Sequence, residues 1–179
     1  MSHVDERIRQ RRDQMLSGEH GHRVKDELAK VQMPPEAAGR LIVVVEDEQL
    51  VAVLASAWLS AAGFDVEAIT VDGSNSDPGK RSVERRFEEP LPDAMVINSS
   101  MPGMNGDRAA RLIREREAAT GLPRIPILLT SGYSSGERFS AVVDGFLAKP
   151  FTLDQLVSAV IGVGWPSSEG SVRESNGLA

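Results

Sequence analysis

The chain has 179 residues, 41% hydrophobic and 26% charged, with no cysteine and a formal net charge of −6. That length suits one domain with tails, and the missing cysteine excludes disulfides, thiol catalysis and cysteine-ligated zinc. The acidic balance argues against a nucleic-acid binder, no apolar run approaches the roughly 18 residues of a membrane span, and charge from Asp5 onward excludes a secretory signal.

Residues 1–39 read as a charged extension, helical or flexible. Short helices are predicted near Val4–Met15 and Val24–Val31, and Val24, Leu28 and Val31 make one narrow apolar stripe at i, i+4, i+7. Three outcomes stay open for that stripe: docking on the main domain, pairing with another chain as in a homodimer, or staying loose. Pro34 and Pro35 are expected to end the segment, because proline cannot continue a helix.

The pattern changes at residue 40. Leu41–Val45 is a continuous β-branched run, as in a strand buried on both faces. Gln49–Ala62 reads as a helix with Leu50, Leu54, Ala57 and Ala61 on one face, closed by Gly63. Asp65–Thr70 is a second strand, Asp72–Lys80 a loop, and Ser82–Glu89 a short helix. Ala94–Ile97 is a third strand, followed by a helix over Met104–Ala118 anchored by Leu112. Ile125–Leu129 is a fourth strand, Ser135–Val142 a weak helix and Gly145–Ala148 a fifth strand. In the last helix, Thr152–Ile161, Thr152 and Gln155 form a capping box, and Leu153, Leu156, Val157 and Val160 form the buried face.

Strand and helix thus alternate five times over residues 40–163. This is an α/β domain with a doubly wound parallel sheet. Residues 164–179 are expected to form a disordered tail.

In such sheets the working site lies outside the carboxyl ends of the strands. Those ends carry Glu46-Asp47-Glu48, Asn98-Ser99-Ser100, Thr130-Ser131 and Lys149-Pro150. Two carboxylates, a hydroxyl and an ammonium suit a phosphoryl group with a divalent cation such as Mg2+.

The segments VVVEDE (43–48), INSSMPGMNG (97–106), LLTSGY (128–133) and FLAKPF (146–151) resemble the receiver domain of two-component response regulators over about 120 residues. Any one of the four alone is a weak signal; together and in order they are specific. The resemblance implies a flavodoxin-like (βα)5 fold of strand order 2-1-3-4-5. It also implies that Glu46 and Asp47, with the Ser100 backbone carbonyl, are the metal-binding groups. Thr130 would be the switch hydroxyl, Phe146 the aromatic switch residue, and Lys149 the phosphoryl contact beside a cis proline.

The chain departs from the pattern where the family's phosphoacceptor aspartate should stand: four residues before Pro102 is Asn98. An amide forms no acyl phosphate and gives a metal one anionic ligand fewer, so Mg2+ binding, if any, is expected to be weak. Lys149 loses its nearest negative partner, leaving Asp47 to attract it. A second departure is the stretch 72–89, where a Gly/Pro/Ser loop replaces much of a regular helix.

Three other patterns fail. Gly79-Lys80 lacks the first glycine and the Ser or Thr of a phosphate loop, since Ser74 and Arg81 stand there. His20 and His22, read as lying in a loop, lack a third metal ligand. Arg7, Arg9, Arg11 and Arg12 are interleaved with acids, as on a solvated face.

The function expected is a stand-alone, non-enzymatic, cytoplasmic receiver-like module in phosphorelay signalling. Because Asn98 replaces the acceptor, it would act by phosphorylation-independent protein binding through the fourth helix, fifth strand and fifth helix. Partners would be a histidine kinase, a phosphotransfer protein or a downstream effector, with no nucleic acid and no membrane. The alternative is a conventional phosphoacceptor whose aspartate was mutated to Asn98 or returns by deamidation at Asn98-Ser99.

Overall fold

The computed structural model describes residues 18–71, 91–132 and 141–165. Five strands form one parallel sheet: β1 (Leu41–Glu46), β2 (Asp65–Thr70), β3 (Ala94–Asn98), β6 (Ile127–Ser131) and β7 (Gly145–Ala148). Their order is β2-β1-β3-β6-β7. Two-residue strands β4 (Ser100–Met101) and β5 (Met104–Asn105) pair antiparallel with each other, so the five long strands follow the expected 2-1-3-4-5 order. The helices are α1 (Gly18–Leu28), α2 (Gln49–Ala62), α3 (Gly106–Thr120) and α4 (Leu153–Gly162), with a 3-10 turn at Pro35–Ala37.

The strands alternate between two cores. Ile42, Val44, Ala94, Val96 and Leu128 face one, with α2 and α4 residues. Val43, Val45, Met95, Ile97 and Ile127 face the other, with Ala109, Ala110 and Ile113 of α3. Side chains on successive strand positions point to opposite faces, so a sheet covered on both sides needs uninterrupted apolar runs. β6 starts two residues later than the sequence suggests. Pro126 has no N–H to donate, although its carbonyl accepts from the Met95 amide at 2.9 Å.

Helix faces divide into one success and two corrections. In α4 the buried residues are Leu153, Leu156, Val157 and Val160, as expected, and the capping box is formed. In α2 the expected face of Leu50, Leu54, Ala57 and Ala61 is buried only at Ala61. Leu50 is 85% exposed, Val53 60% and Leu54 47%, while Ala52, Ala55, Leu59 and Ala61 are buried. Small alanines let the helix approach the sheet closely. In α3, Ile113 is fully buried and Leu112 only partly so. That helix begins at Gly106, because Met104 and Asn105 belong to the β4–β5 hairpin. The hairpin turns at Pro102-Gly103, where Gly103 takes φ 76°, the positive value a type II turn requires. Asn105 caps α3, its side chain accepting from the Arg108 amide at 2.8 Å.

The N-terminal stripe docks on the domain. Val24, Leu28, Val31 and Met33 pack against the core shared by α2 and α4. Helix α1 starts earlier than predicted and ends at Leu28, before Pro34, so His20 and His22 lie on a helix rather than in a loop. Pro35 occupies the first turn of the 3-10 segment, where its missing donor is no loss. Trp165 packs on Phe64, ring centroids 5.8 Å apart. The predictions for 4–15, 72–89, 135–140 and the tail beyond Trp165 lie outside the described residues, as does the arginine cluster.

An ion network closes the opposite end of the sheet. Arg114 donates to Glu117 at 2.7 Å, to Asp144 at 2.8 Å and to the Ile125 and Val142 carbonyls. Glu117 accepts from the Ile125 amide and Asp144 from the Ile127 amide. Three segments far apart in sequence are thus joined by charge-assisted hydrogen bonds.

Candidate functional site

Parallel strands bring their carboxyl ends to one edge, and the crevice there collects what those ends carry. β1 ends at Glu46 and β3 at Asn98. Asn98 pairs in register with Thr130 of β6, and the Ser99 amide donates to the Thr130 carbonyl at 2.7 Å. Beyond β7, the Lys149 amide donates to the Ser131 carbonyl at 2.7 Å. The Lys149–Pro150 bond is cis, as the resemblance implies.

The Asn98 amide nitrogen is the centre of the pocket. It donates to Glu46 Oε1 at 2.8 Å, to Asp47 Oδ1 at 2.7 Å and to the Ser100 carbonyl at 3.0 Å. An amide has two N–H bonds, so three acceptors share two protons. The partners dictate this orientation: turned round, Oδ1 would face three oxygens with no proton between them. On the other side of Glu46, Lys149 Nζ donates to Oε2 at 2.6 Å. The Glu48 backbone amide adds a long contact to Oε1, 3.4 Å.

Lys149 therefore pairs with Glu46, not with Asp47 as the sequence suggests. Asn98 engages one oxygen of each carboxylate, and the longer glutamate side chain presents its second oxygen to the ammonium. Glu46 is buried, and burial is the main influence on its carboxyl, pushing it above the ordinary glutamate range while Lys149 pulls it back.

Five of the groups singled out by sequence thus meet directly: Glu46, Asp47, Asn98, the Ser100 carbonyl and Lys149. Thr130, buried at 2% exposure, joins through strand register. Phe146 is half-buried on β7 opposite Leu129, one register position before Thr130, and takes no part in these hydrogen bonds.

Sequence reasoning gave Gly106 no role, although it closes the 97–106 segment. Its amide donates to the Ser99 carbonyl at 2.9 Å. A Cβ there would meet the Asn98 carbonyl oxygen at 2.6 Å and the Ser99 Cα at 3.0 Å. Both are backbone atoms directly under the site. Gly106→Ala is expected to cost about 1–3 kcal/mol and to disturb Asn98, seen as shifted backbone resonances at 98–100 in an NMR spectrum. An unshifted spectrum with unchanged stability would contradict this close packing.

Glu46, Asp47 and the Ser100 carbonyl offer the hard oxygens that Mg2+ prefers. The Asn98 N–H donors contact all three, so the residues as arranged do not fit a cation among them. Among the described residues, no group of three or more His, Cys, Asp or Glu side chains is placed to hold a metal.

A family model described as the response regulator receiver domain matches residues 42–161. The chain is 33% identical over 122 residues to the phosphate regulon transcriptional regulatory protein PhoB of Rhizobium meliloti, covering 66% of this chain and 49% of that protein. It is 29% identical over 123 residues to hybrid signal transduction histidine kinase L of Dictyostelium discoideum, covering 66% of this chain and 7% of that one. The chain thus spans half or less of the length of these curated relatives. Among solved structures, a response regulator from Chloroflexus aurantiacus superposes with TM-score 0.58 at 26% identity, covering 70% of this chain and 97% of that one. The response regulator TrrA of Thermotoga maritima, solved in complex with Mg(2+)-BeF, gives TM-score 0.57 at 23% identity, covering 69% and 98%.

Proposed function

The chain belongs to the response regulator receiver family, and from that premise we propose that it is a non-enzymatic signalling module that works by phosphorylation-independent protein binding. The observation that carries this reading is the Asn98 amide, bonded to Glu46 and Asp47 at the end of β3, where the family resemblance would have the acceptor aspartate. A carboxylate oxygen attacks phosphorus; an amide nitrogen whose protons are bound to two carboxylates does not. Asn98 thereby holds Thr130 and Phe146 in one conformational basin, and the binding surface is fixed rather than toggled.

The deamidation alternative is disfavoured by the same ladder. Deamidation begins with the following backbone nitrogen attacking the asparagine side-chain carbonyl. Here the Ser99 nitrogen donates to the Thr130 carbonyl at 2.7 Å, and the Asn98 side chain is held by three partners.

Partners of this reading are a histidine kinase, a phosphotransfer protein or a downstream effector. Leu50, Val53 and Leu54 present exposed apolar surface on the helix that starts three residues after Glu46. With the β7–α4 side, they are the surface offered to a partner. No helix among the described residues is long and apolar enough to cross a membrane; a cytoplasmic location is part of the proposed reading.

Beryllium fluoride with Mg2+, added to 15N-labelled protein, tests the fixed basin. Amide resonances around Thr130 and Phe146 should stay in place in the parent and move in Asn98→Asp. Movement in the parent to the same positions would show that the pocket still toggles.

A further inference from the structure

We propose that the Asn98 amide occupies the place of a divalent cation, so that the pocket assembles without metal and excludes Mg2+. The inference rests on reading the pocket as receiver-like, and it adds how the pocket is held together. Two carboxylates and a carbonyl converge on one nitrogen at 2.7–3.0 Å. Oxygens of like charge do not gather at a point unless something positive lies between them. The N–H bonds of Asn98 supply that positive end from within the chain, and Lys149 neutralises Glu46 from the other side at 2.6 Å.

The amide and a cation exclude each other. Mg2+ demands oxygens at about 2.0–2.1 Å in near-octahedral array, whereas the nitrogen spaces the same oxygens for hydrogen bonding. To enter, Mg2+ would have to break all three amide bonds. It would then find two carboxylates, one of them already paired with Lys149. The neutral side chain thus removes both the need for a cation and the room for one, and pocket geometry becomes independent of Mg2+.

Thermal unfolding of the full chain in EDTA and in millimolar Mg2+ tests this, with Asn98→Asp and Asn98→Ala alongside. The parent is expected to melt at the same temperature in both. Asn98→Asp places three carboxylates against one lysine. It should melt lower in EDTA and recover by about 5 °C or more in Mg2+. Asn98→Ala removes the donors without adding charge and should melt below the parent in EDTA. Mn2+ titrated into the parent and followed by electron paramagnetic resonance should stay free, a readout that needs no variant.

A parent that gains as much from Mg2+ as the aspartate variant, or that binds Mn2+, overturns the proposal and leaves the receiver reading of the pocket intact. An alanine variant as stable as the parent in EDTA also overturns it, since the amide would then hold nothing. If Mg2+ changes neither the parent nor the aspartate variant, the receiver reading fails together with the proposal.

Discussion

Lys149→Ala is expected to destabilise the domain by about 3 kcal/mol at neutral pH, because it leaves a buried carboxylate without its counter-charge. Glu46 and Lys149 pair at 2.6 Å with side chains only 4% and 19% exposed, so solvent screens little of the interaction. The pH dependence follows from the direction of the Glu46 shift. Burial, the larger influence, raises its carboxyl above the ordinary glutamate value, and Lys149 opposes that. A carboxyl whose native pKa lies above its unfolded pKa keeps its proton longer in the folded state. Its contribution to stability is complete below the unfolded value and is lost as pH rises through the native one.

Removing Lys149 raises the native value further and widens that window. The deficit of Lys149→Ala should therefore be smaller at acid pH, where Glu46 is protonated, and grow toward neutrality. Denaturant unfolding at the two pH values measures it. Adding Glu46→Gln should remove most of the pH dependence, because no carboxyl is left to charge. A deficit equal at both pH values would show that Lys149 acts through packing of its stem and not through Glu46.

What could be read from sequence divides along physical lines. The strands were legible because a sheet covered on both faces leaves no polar gaps in runs such as Leu41–Val45. The face of α4 was legible because its apolar residues alternate with Asp154, Gln155 and Ser158. The face of α2 was not, since nearly every residue from Leu50 to Ala62 is apolar and periodicity has nothing to separate. There the buried side is chosen by closeness of approach, and alanines win over Leu50 and Leu54. The links from Arg114 to Asp144 and Val142 were invisible because only the fold joins them.

The site shows the same division. Glu46, Asp47, Asn98, Thr130 and Lys149 could be named because strand ends converge in any parallel sheet of this order. The direction of the Asn98 amide, and with it the choice of Glu46 as the partner of Lys149, depends on which acceptors meet in space. Gly106 had only its place after Asn105 to mark it, and its close approach to the Asn98 carbonyl is a three-dimensional fact.

The second large effect is all-or-none. Asn98→Asp should convert a chain that takes no phosphoryl group into one that takes one. The pocket around position 98 already holds Thr130 in register and Lys149 bonded to Glu46. An aspartate there would supply the attacking oxygen and the third carboxylate for Mg2+, and Lys149 would be free to meet the incoming phosphoryl oxygens.

Intact mass before and after incubation with acetyl phosphate and Mg2+, on the parent and on Asn98→Asp, tests the account most directly. The parent mass is expected to stay unchanged, and the variant is expected to gain a single phosphoryl group mapped to position 98. A parent that gains the mass at position 98, or at Ser99 or Ser100, would contradict it, because the chain would then carry a working acceptor after all.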